Sequence, residues 1–257
     1  MTPKKILLSI AGYDPTSGAG VSLDLKVFQL LGFQGMAALT SLTSQNTKEV
    51  RKVHCLSPNL LWDQYQALCE DVSFSGLKVG MVGCGKNIEV IKRILTDNPN
   101  TPKVVDPVFK SSSGAWLLKR DSIPSYISEI KGQASLLTPN LEEAGMISGI
   151  KIKNTEDMKK AAKSIFSISS IPCFIKGGHF PRQMVNLLYD GKEFYFFKKE
   201  KIRKRVHGTG CFLSSSLLGY MVKGNSLEKA CLLATQLTHK AIKNAIKIGQ
   251  GQCIIAI

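Results

Sequence analysis

Short apolar runs alternate with helix-patterned segments along this chain, and polar, glycine-bearing loops fall where a run ends and a helix begins. Lys4 to Ala11 reads as a buried strand closed by Gly12. After the loop Gly12 to Gly20, Val21, Leu25 and Phe28 recur at helical spacing until Gly32 stops them. Gly35 to Thr40, Val50 to Cys55, Gly76 to Met81, Lys103 to Val108, Ala134 to Thr138 and Ile171 to Ile175 repeat the strand signal. Helices are expected over Leu60 to Cys69, behind Ser57 as N-cap and Pro58, over Asn154 to Ile168, and from Ser226 to about Ile246. Asp190-Gly191, between Val185 to Tyr189 and Glu193 to Lys198, is a hairpin turn signal. Strands joined through helices run parallel and need cover on both faces. The order therefore predicts a doubly wound α/β fold, a mainly parallel sheet with helices on both faces and an antiparallel edge hairpin. With no repeat, linker or low-complexity stretch, one domain over residues 1–257 is expected.

Open α/β sheets bind ligands beyond the carboxyl ends of their strands. One loop there reads as an anion hole: Val206-His207-Gly208-Thr209-Gly210-Cys211, running into the apolar helical segment Phe212 to Val222. A helix start carries unpaired N–H groups and partial positive charge, and glycines admit a phosphate oxygen close to the backbone. Cys211 falls in the first turn, where the dipole lowers a thiol pKa from about 8.5 and makes a thiolate plausible at neutral pH. A glycine-rich turn with a small buried cysteine is the other reading of the same residues. Asp14, Ala19 and Asp24 are site candidates from the first loop, although Asp14 also reads as a turn residue and Asp24 as a first-turn helix acid. Asn140 and Glu143 have capping-box spacing; in phosphoryl transfer the same carboxylate could hold magnesium through water. Lys176, ending a strand before Gly177-Gly178-His179, is placed for nucleotide phosphates. Gly80 to Asn87 nearly matches the Walker A pattern, but Asn87 stands where a Ser or Thr should ligate magnesium, so a turn with Lys86 near a helix start is the better reading. Lys110 to Gly114 reads either as a moving lid or as a surface loop.

The net charge of +15 includes six Lys or Arg in the eight residues Lys198 to Arg205, just ahead of the anion hole. That cluster suits a polyphosphate as well as a nucleic acid. The other lysines are dispersed and no aromatic-interleaved basic stripe occurs, so a solvated surface is expected and nucleic-acid binding is not. No apolar run approaches the roughly 18 residues of a membrane span. The first apolar run reaches Gly12-Tyr13-Asp14-Pro15 too soon for a signal peptide, so a cytoplasmic protein without membrane contact is expected. Seven cysteines, scattered and without C-x-x-C spacing, argue against a disulfide framework or structural zinc; six are expected to be small buried hydrophobes.

Helix amides, a lysine, magnesium and a base for the attacking hydroxyl are what phosphoryl transfer needs, and the residues collected here fit a small-molecule kinase. The chain closely resembles the hydroxymethylpyrimidine/phosphomethylpyrimidine kinases of thiamine biosynthesis, in the ribokinase superfamily. The resemblance rests on Ala11-Gly12-Tyr13-Asp14-Pro15 with Ser17-Gly18-Ala19-Gly20, Asp24-Leu25-Lys26, Gln45-Asn46-Thr47, Lys78-Val79-Gly80-Met81, Asp106-Pro107-Val108, Thr138 to Ala144, Lys176 to His179 and His207 to Cys211. It implies a ribokinase-like fold, ATP and Mg2+, with K+ as a further candidate ion, a homodimer, and two successive phosphorylations of 4-amino-5-hydroxymethyl-2-methylpyrimidine. By position it implies a pyrimidine pocket of Ala19, Asp24, Gln45, Met81, Val108 and Cys211. ATP would lie against Lys176, His207, Gly208, Gly210 and Asn140, and magnesium near Asn140 and Glu143. Catalysis would fall to Lys176 and to Gly208, Thr209, Gly210 and Cys211, with Cys211 as candidate general base. The chain departs from the usual pattern at Tyr13, Ser17, Phe109 and Arg205-Val206. Pyridoxal kinases of the same fold are the nearest alternative, although Phe109-Lys110-Ser111 lacks the lid cysteine of one such group. A catalytically inactive binding protein on the same scaffold is the second.

Overall fold

The computed structural model describes residues 4–178 and 183–257; His179, the last residue of the Lys176 motif, lies outside them. The chain runs β1 (Ile6–Tyr13), α1 (Gly20–Leu30), β2 (Gln34–Gln45), β3 (Val50–Cys55), α2 (Pro58–Cys69), β4 (Gly76–Val79), α3 (Ile88–Asp97), β5 (Lys103–Val105), α4 (Ile123–Glu129), β6 (Leu136–Leu137), α5 (Leu141–Ser148), α6 (Thr155–Ser169), β7 (Cys173–Ile175), β8 (Gln183–Tyr189), β9 (Phe194–Glu200), β10 (Val206–His207), α7 (Thr209–Val222), α8 (Leu227–Lys243) and β11 (Cys253–Ile254). Among the described residues nine strands form one sheet, in the order β3-β2-β1-β4-β5-β6-β7-β8-β9. The five pairings from β2 to β7 are parallel, and β7 with β8 and β8 with β9 are antiparallel, as the Asp190-Gly191 turn requires. The opposite edge is antiparallel too, with β3 folded back on β2. That second hairpin was not legible, because β3 is mostly exposed and has no core-facing alternation to read.

Each face of the sheet carries its own core. Ile88, Ile91, Ile94 and Leu95 of α3 pack with residues of α2, α4 and α6 on one side, and α1, α7 and α8 cover the other. The helix start expected near Lys86 is that of α3, at Ile88, whereas α4 has no counterpart among the expected helices. Helix α7 is buried nearly all round and lies directly against the sheet: a Cβ on Gly76 would stand 2.8 Å from Val222 and 3.0 Å from Leu218. Its central position fixes where its N-terminus points.

The strands leave the sheet early, at Val79, Val105 and Leu137, so the residues after them form loops rather than ladder. Strand β2 instead runs on through Gln45, five residues past its expected end at Thr40. Helix α7 begins at Thr209, three residues before the apolar run Phe212 to Val222. The order reverses between β1 and β4, and the loops after those two strands part to leave a crevice. Contrary to the expectation of unpaired cysteines, Cys55 and Cys84 form a disulfide, because the end of β3 and the turn after β4 meet. Cys69 is exposed rather than buried.

Candidate active site

A cavity of about 180 Å³ fills that crevice. Ala19, Gln45, Met81 and Val108 line one side of it. Asn140, Glu143, Lys176 and the loop His207 to Cys211 line the other. The fold therefore gathers residues separated by up to most of the chain's length into one small space.

The anion hole forms because Gly208 adopts a left-handed conformation (φ 78°) as N-cap of α7. A Cβ there would meet the Gly18 carbonyl oxygen at 1.8 Å, so only glycine brings the two loops together. The first intrahelical bond runs from Phe212 N to Gly208 O, at 2.9 Å, leaving the N–H groups of Thr209, Gly210 and Cys211 without intrahelical acceptors. At Gly210 a Cβ would stand 3.2 Å from Lys176 Nζ and 3.6 Å from Asp106 Oδ2. The lysine ammonium and the bare helix amides thus face the same space.

Lys176 donates to Asp106 Oδ1 at 2.6 Å and lies 3.9 Å from Glu143 Oε2. Asp106 also accepts from the Thr138 and Ser214 hydroxyls, at 3.1 and 3.3 Å. Asn140 and Glu143 form the expected capping box of α5, with Glu143 N donating to Asn140 Oδ1 (2.9 Å) and Asn140 N to Glu143 Oε2 (2.7 Å). Burial pushes Glu143 up to about 7; Lys176 pulls it down and the Asp106 charge pushes it further up. Burial also acts to lower Lys176, but the two carboxylates outweigh it and hold the ammonium protonated. Two buried carboxylates share one ammonium here. That deficit of positive charge fits a divalent cation held through water, with phosphate oxygens completing its shell. Among the described residues no group of three or more His, Cys, Asp or Glu could hold a metal without such help. Asp106 was legible only as an Asp-Pro at a strand end, and its role emerges from Lys176 and Thr138 converging on it.

His207 is engaged at both ring nitrogens, Nε2 with Asp14 Oδ2 at 2.8 Å and Nδ1 with Ser112 Oγ at 3.1 Å. Asp14 is both a turn residue, accepting from Thr16 N and Oγ1 at 2.8 Å, and a site residue. Burial raises its pKa, but the hydrogen bonds from His207 and Thr16 outweigh that and hold it below the ordinary carboxylate range.

Two expectations are corrected. Asp24 does not line the cavity: it is fully buried beneath it, accepting from Ser9 Oγ (2.6 Å), Ser215 Oγ (2.7 Å) and Lys78 Nζ (2.8 and 3.0 Å). A carboxylate at that depth needs a cation, and Lys78 of β4, equally buried, supplies it. Cys211 does line the cavity, in the first turn of α7, but its thiol is not acidified. Burial pushes it up to about 11; the Lys78 charge works against this, while Asp24 and Asp106 add to it. Desolvation wins over the helix dipole, and the resting group is a neutral thiol.

The near-Walker segment cradles no phosphate. Gly85 to Asn87 is a single tight turn whose Asn87 is buried, with Nδ2 donating to Val82 O at 3.0 Å. Beyond Lys176 and Gly210 lies a second cavity of about 200 Å³, lined by Gly178, Asn186, Leu213 and Thr238. The basic segment Lys201 to Arg205 borders a neighbouring groove that also reaches Gly178 and Thr209.

Residues 14–256 match the family model described as phosphomethylpyrimidine kinase. A hydroxymethylpyrimidine/phosphomethylpyrimidine kinase of Aquifex aeolicus is 38% identical over 248 residues, covering 96% of this chain and 97% of the relative. That of Bacillus subtilis is 35% identical, covering 95% and 91%. Among solved structures, the pyridoxal kinase of Staphylococcus aureus in complex with AMP-PCP superposes with a TM-score of 0.90 at 30% identity, covering 98% of this chain and 93% of that one. A phosphomethylpyrimidine kinase of Clostridium difficile gives 0.82 at 34% identity, covering 93% and 100%.

Proposed function

Because this chain belongs to the phosphomethylpyrimidine kinase family, we propose that its first cavity receives 4-amino-5-hydroxymethyl-2-methylpyrimidine and its second the nucleotide base. The chain is a hydroxymethylpyrimidine/phosphomethylpyrimidine kinase of thiamine biosynthesis, transferring phosphoryl groups from ATP. One observation carries the residue-level reading: the unpaired amides of Thr209, Gly210 and Cys211 and the Lys176 ammonium face a space between the two cavities.

Gln45 offers both a donor and an acceptor to a ring nitrogen and an exocyclic amine, while Met81, Val108 and Ala19 supply apolar contact. Asp24, from below, supports the floor through Ser9, Ser215 and Lys78. Lys176 and the α7 amides hold the phosphates of ATP and take up charge on the transferred group. The Cys211 thiol closes the hole beside the reacting hydroxyl, whose proton leaves late in a loose transition state that asks little of a base. Magnesium, when bound, neutralises phosphate charge; Asp106 and Glu143 would hold it through water, and Asn140, with its Oδ1 engaged, fixes the Glu143 carboxylate. K+ is assayed by exchange for Na+.

Exposed Leu42 of β2, beside the edge strand β3, supports a homodimer, which light scattering would test. No helix among the described residues is long and apolar enough to cross a membrane, and a cytoplasmic enzyme is proposed. The functional test is a mass-spectrometric product assay with ATP and magnesium, offering the hydroxymethylpyrimidine and pyridoxal in parallel. Pyrimidine monophosphate followed by diphosphate is expected. Pyridoxal phosphate as the dominant product would overturn the substrate assignment.

A further inference from the structure

The two acceptors of this reaction differ in charge. The hydroxymethyl compound is neutral at its reacting group, whereas its monophosphate carries nearly two negative charges at neutral pH, a phosphomonoester's second pKa being about 6. In the second step a second anion must therefore enter the cavity where the terminal phosphate of ATP already lies. Among the described residues, three cationic or potentially cationic side chains line that cavity: Lys110, Lys176 and His207. Lys176 is held by buried Asp106, and His207 by buried Asp14. Lys78 is beneath the floor and bound to Asp24.

Lys110 differs from these. Its ammonium pairs with Glu142 Oε1 at 2.5 Å, and that carboxylate is 58% exposed on the rim. A pair of this kind contributes little, so exchanging Glu142 for a phosphate carries a small penalty. The position is also right. Lys110 bridges to Trp116 and closes the turn whose Ser111 N donates to Ala115 O at 2.8 Å, with its ammonium 4.5 Å from the Trp116 ring. Two residues on, Ser112 Oγ meets His207 Nδ1, so this turn is docked at the head of the anion hole.

We propose that Lys110 is a specificity-determining residue for the second phosphorylation, leaving Glu142 to bind the phosphate of the monophosphate acceptor. This rests on the kinase reading above. In that step an acceptor phosphate oxygen bonds to the terminal phosphorus of ATP and the bond to the ADP oxygen breaks, with its electron pair leaving on ADP. Lys110 takes no part in the bond changes and offsets the charge of the acceptor, which the first step does not require.

The test compares wild type, Lys110→Met, Lys110→Arg and Glu142→Gln, each checked for an unchanged melting temperature. ADP release is followed with either acceptor, and monophosphate binding is titrated calorimetrically without nucleotide. Lys110→Met is expected to lower kcat/KM for the monophosphate, relative to that for the hydroxymethyl compound, by at least about tenfold, chiefly through KM, with a matching loss in the titration. Lys110→Arg should restore most of the ratio, and Glu142→Gln should leave it at or above wild type. An unchanged ratio in Lys110→Met, or an equal loss in both steps, would overturn the proposal while leaving the kinase reading intact. Wild type that makes no diphosphate would refute both the proposal and the second step. Wild type inactive on either acceptor would refute the kinase reading itself.

Discussion

Removing the Cys211 side chain separates two roles that look alike in the sequence. If the reaction needs a thiolate base, the active fraction follows the thiol pKa, pushed up by burial to about 11. At pH 8 only about one molecule in a thousand would then carry the base, equivalent to about 4 kcal/mol at about 1.4 kcal/mol per pH unit. The sign is fixed: a raised thiol pKa keeps the group neutral below about 11, so the thiolate fraction climbs tenfold per unit as pH rises toward that value. The assay is kcat for the hydroxymethylpyrimidine in wild type and Cys211→Ala, measured between about pH 8 and about pH 10, where their ratio cancels other titrating groups. A base role requires that ratio to climb with slope one. Its overall size would be the about 10²- to 10⁴-fold typical of a lost general base. The structure leads us to expect a ratio that is flat with pH and below about tenfold, because the amides of Thr209, Gly210 and residue 211 survive the substitution. A slope of one would refute the assignment of Cys211 as a neutral member of the anion hole.

The glycines and the buried ion pair give three further outcomes. Gly210→Ala puts a methyl against Lys176 Nζ and into the phosphate cradle; kcat should fall about a hundredfold, with the melting temperature unchanged or higher, as expected for alanine in a helix. Gly208→Ala instead meets the Gly18 carbonyl in a left-handed conformation, so its melting temperature should drop by several degrees. Equal behaviour of the two in calorimetry would contradict their separate roles. Lys78→Met strands the Asp24 carboxylate, with both side chains fully buried in the wild type, and urea unfolding should show a loss of about 3–5 kcal/mol. A loss below about 1 kcal/mol would mean that Asp24 is not charged beneath the cavity floor.

The alternation of strand and helix patterns, the loops at the strand ends and the Asp190-Gly191 turn were enough to fix the class of the fold, because each is set by local periodicity and backbone preference. They also pointed to Lys176 and His207 to Cys211 at the strand ends, and the resemblance added Gln45, Met81 and Val108; all of these line one cavity, since a parallel sheet gathers its strand ends at one edge. The exposed hairpin of β3 left no such pattern, and α4, at seven residues, is too short to show a helical period.

Local periodicity and backbone preference set most of the element order and picked out most of the residues now found at the site. The tertiary structure alone decided their electrical state and their partners. Asp24 and Lys78 are 54 residues apart in sequence, and nothing local reveals that they neutralise each other under the floor. Asp106 becomes a site residue only when Lys176 and Thr138 arrive from other strands. Cys211 has a helix dipole in its favour by sequence, yet its ionisation follows the water removed from around it, and desolvation is a property of the packed molecule rather than of any segment.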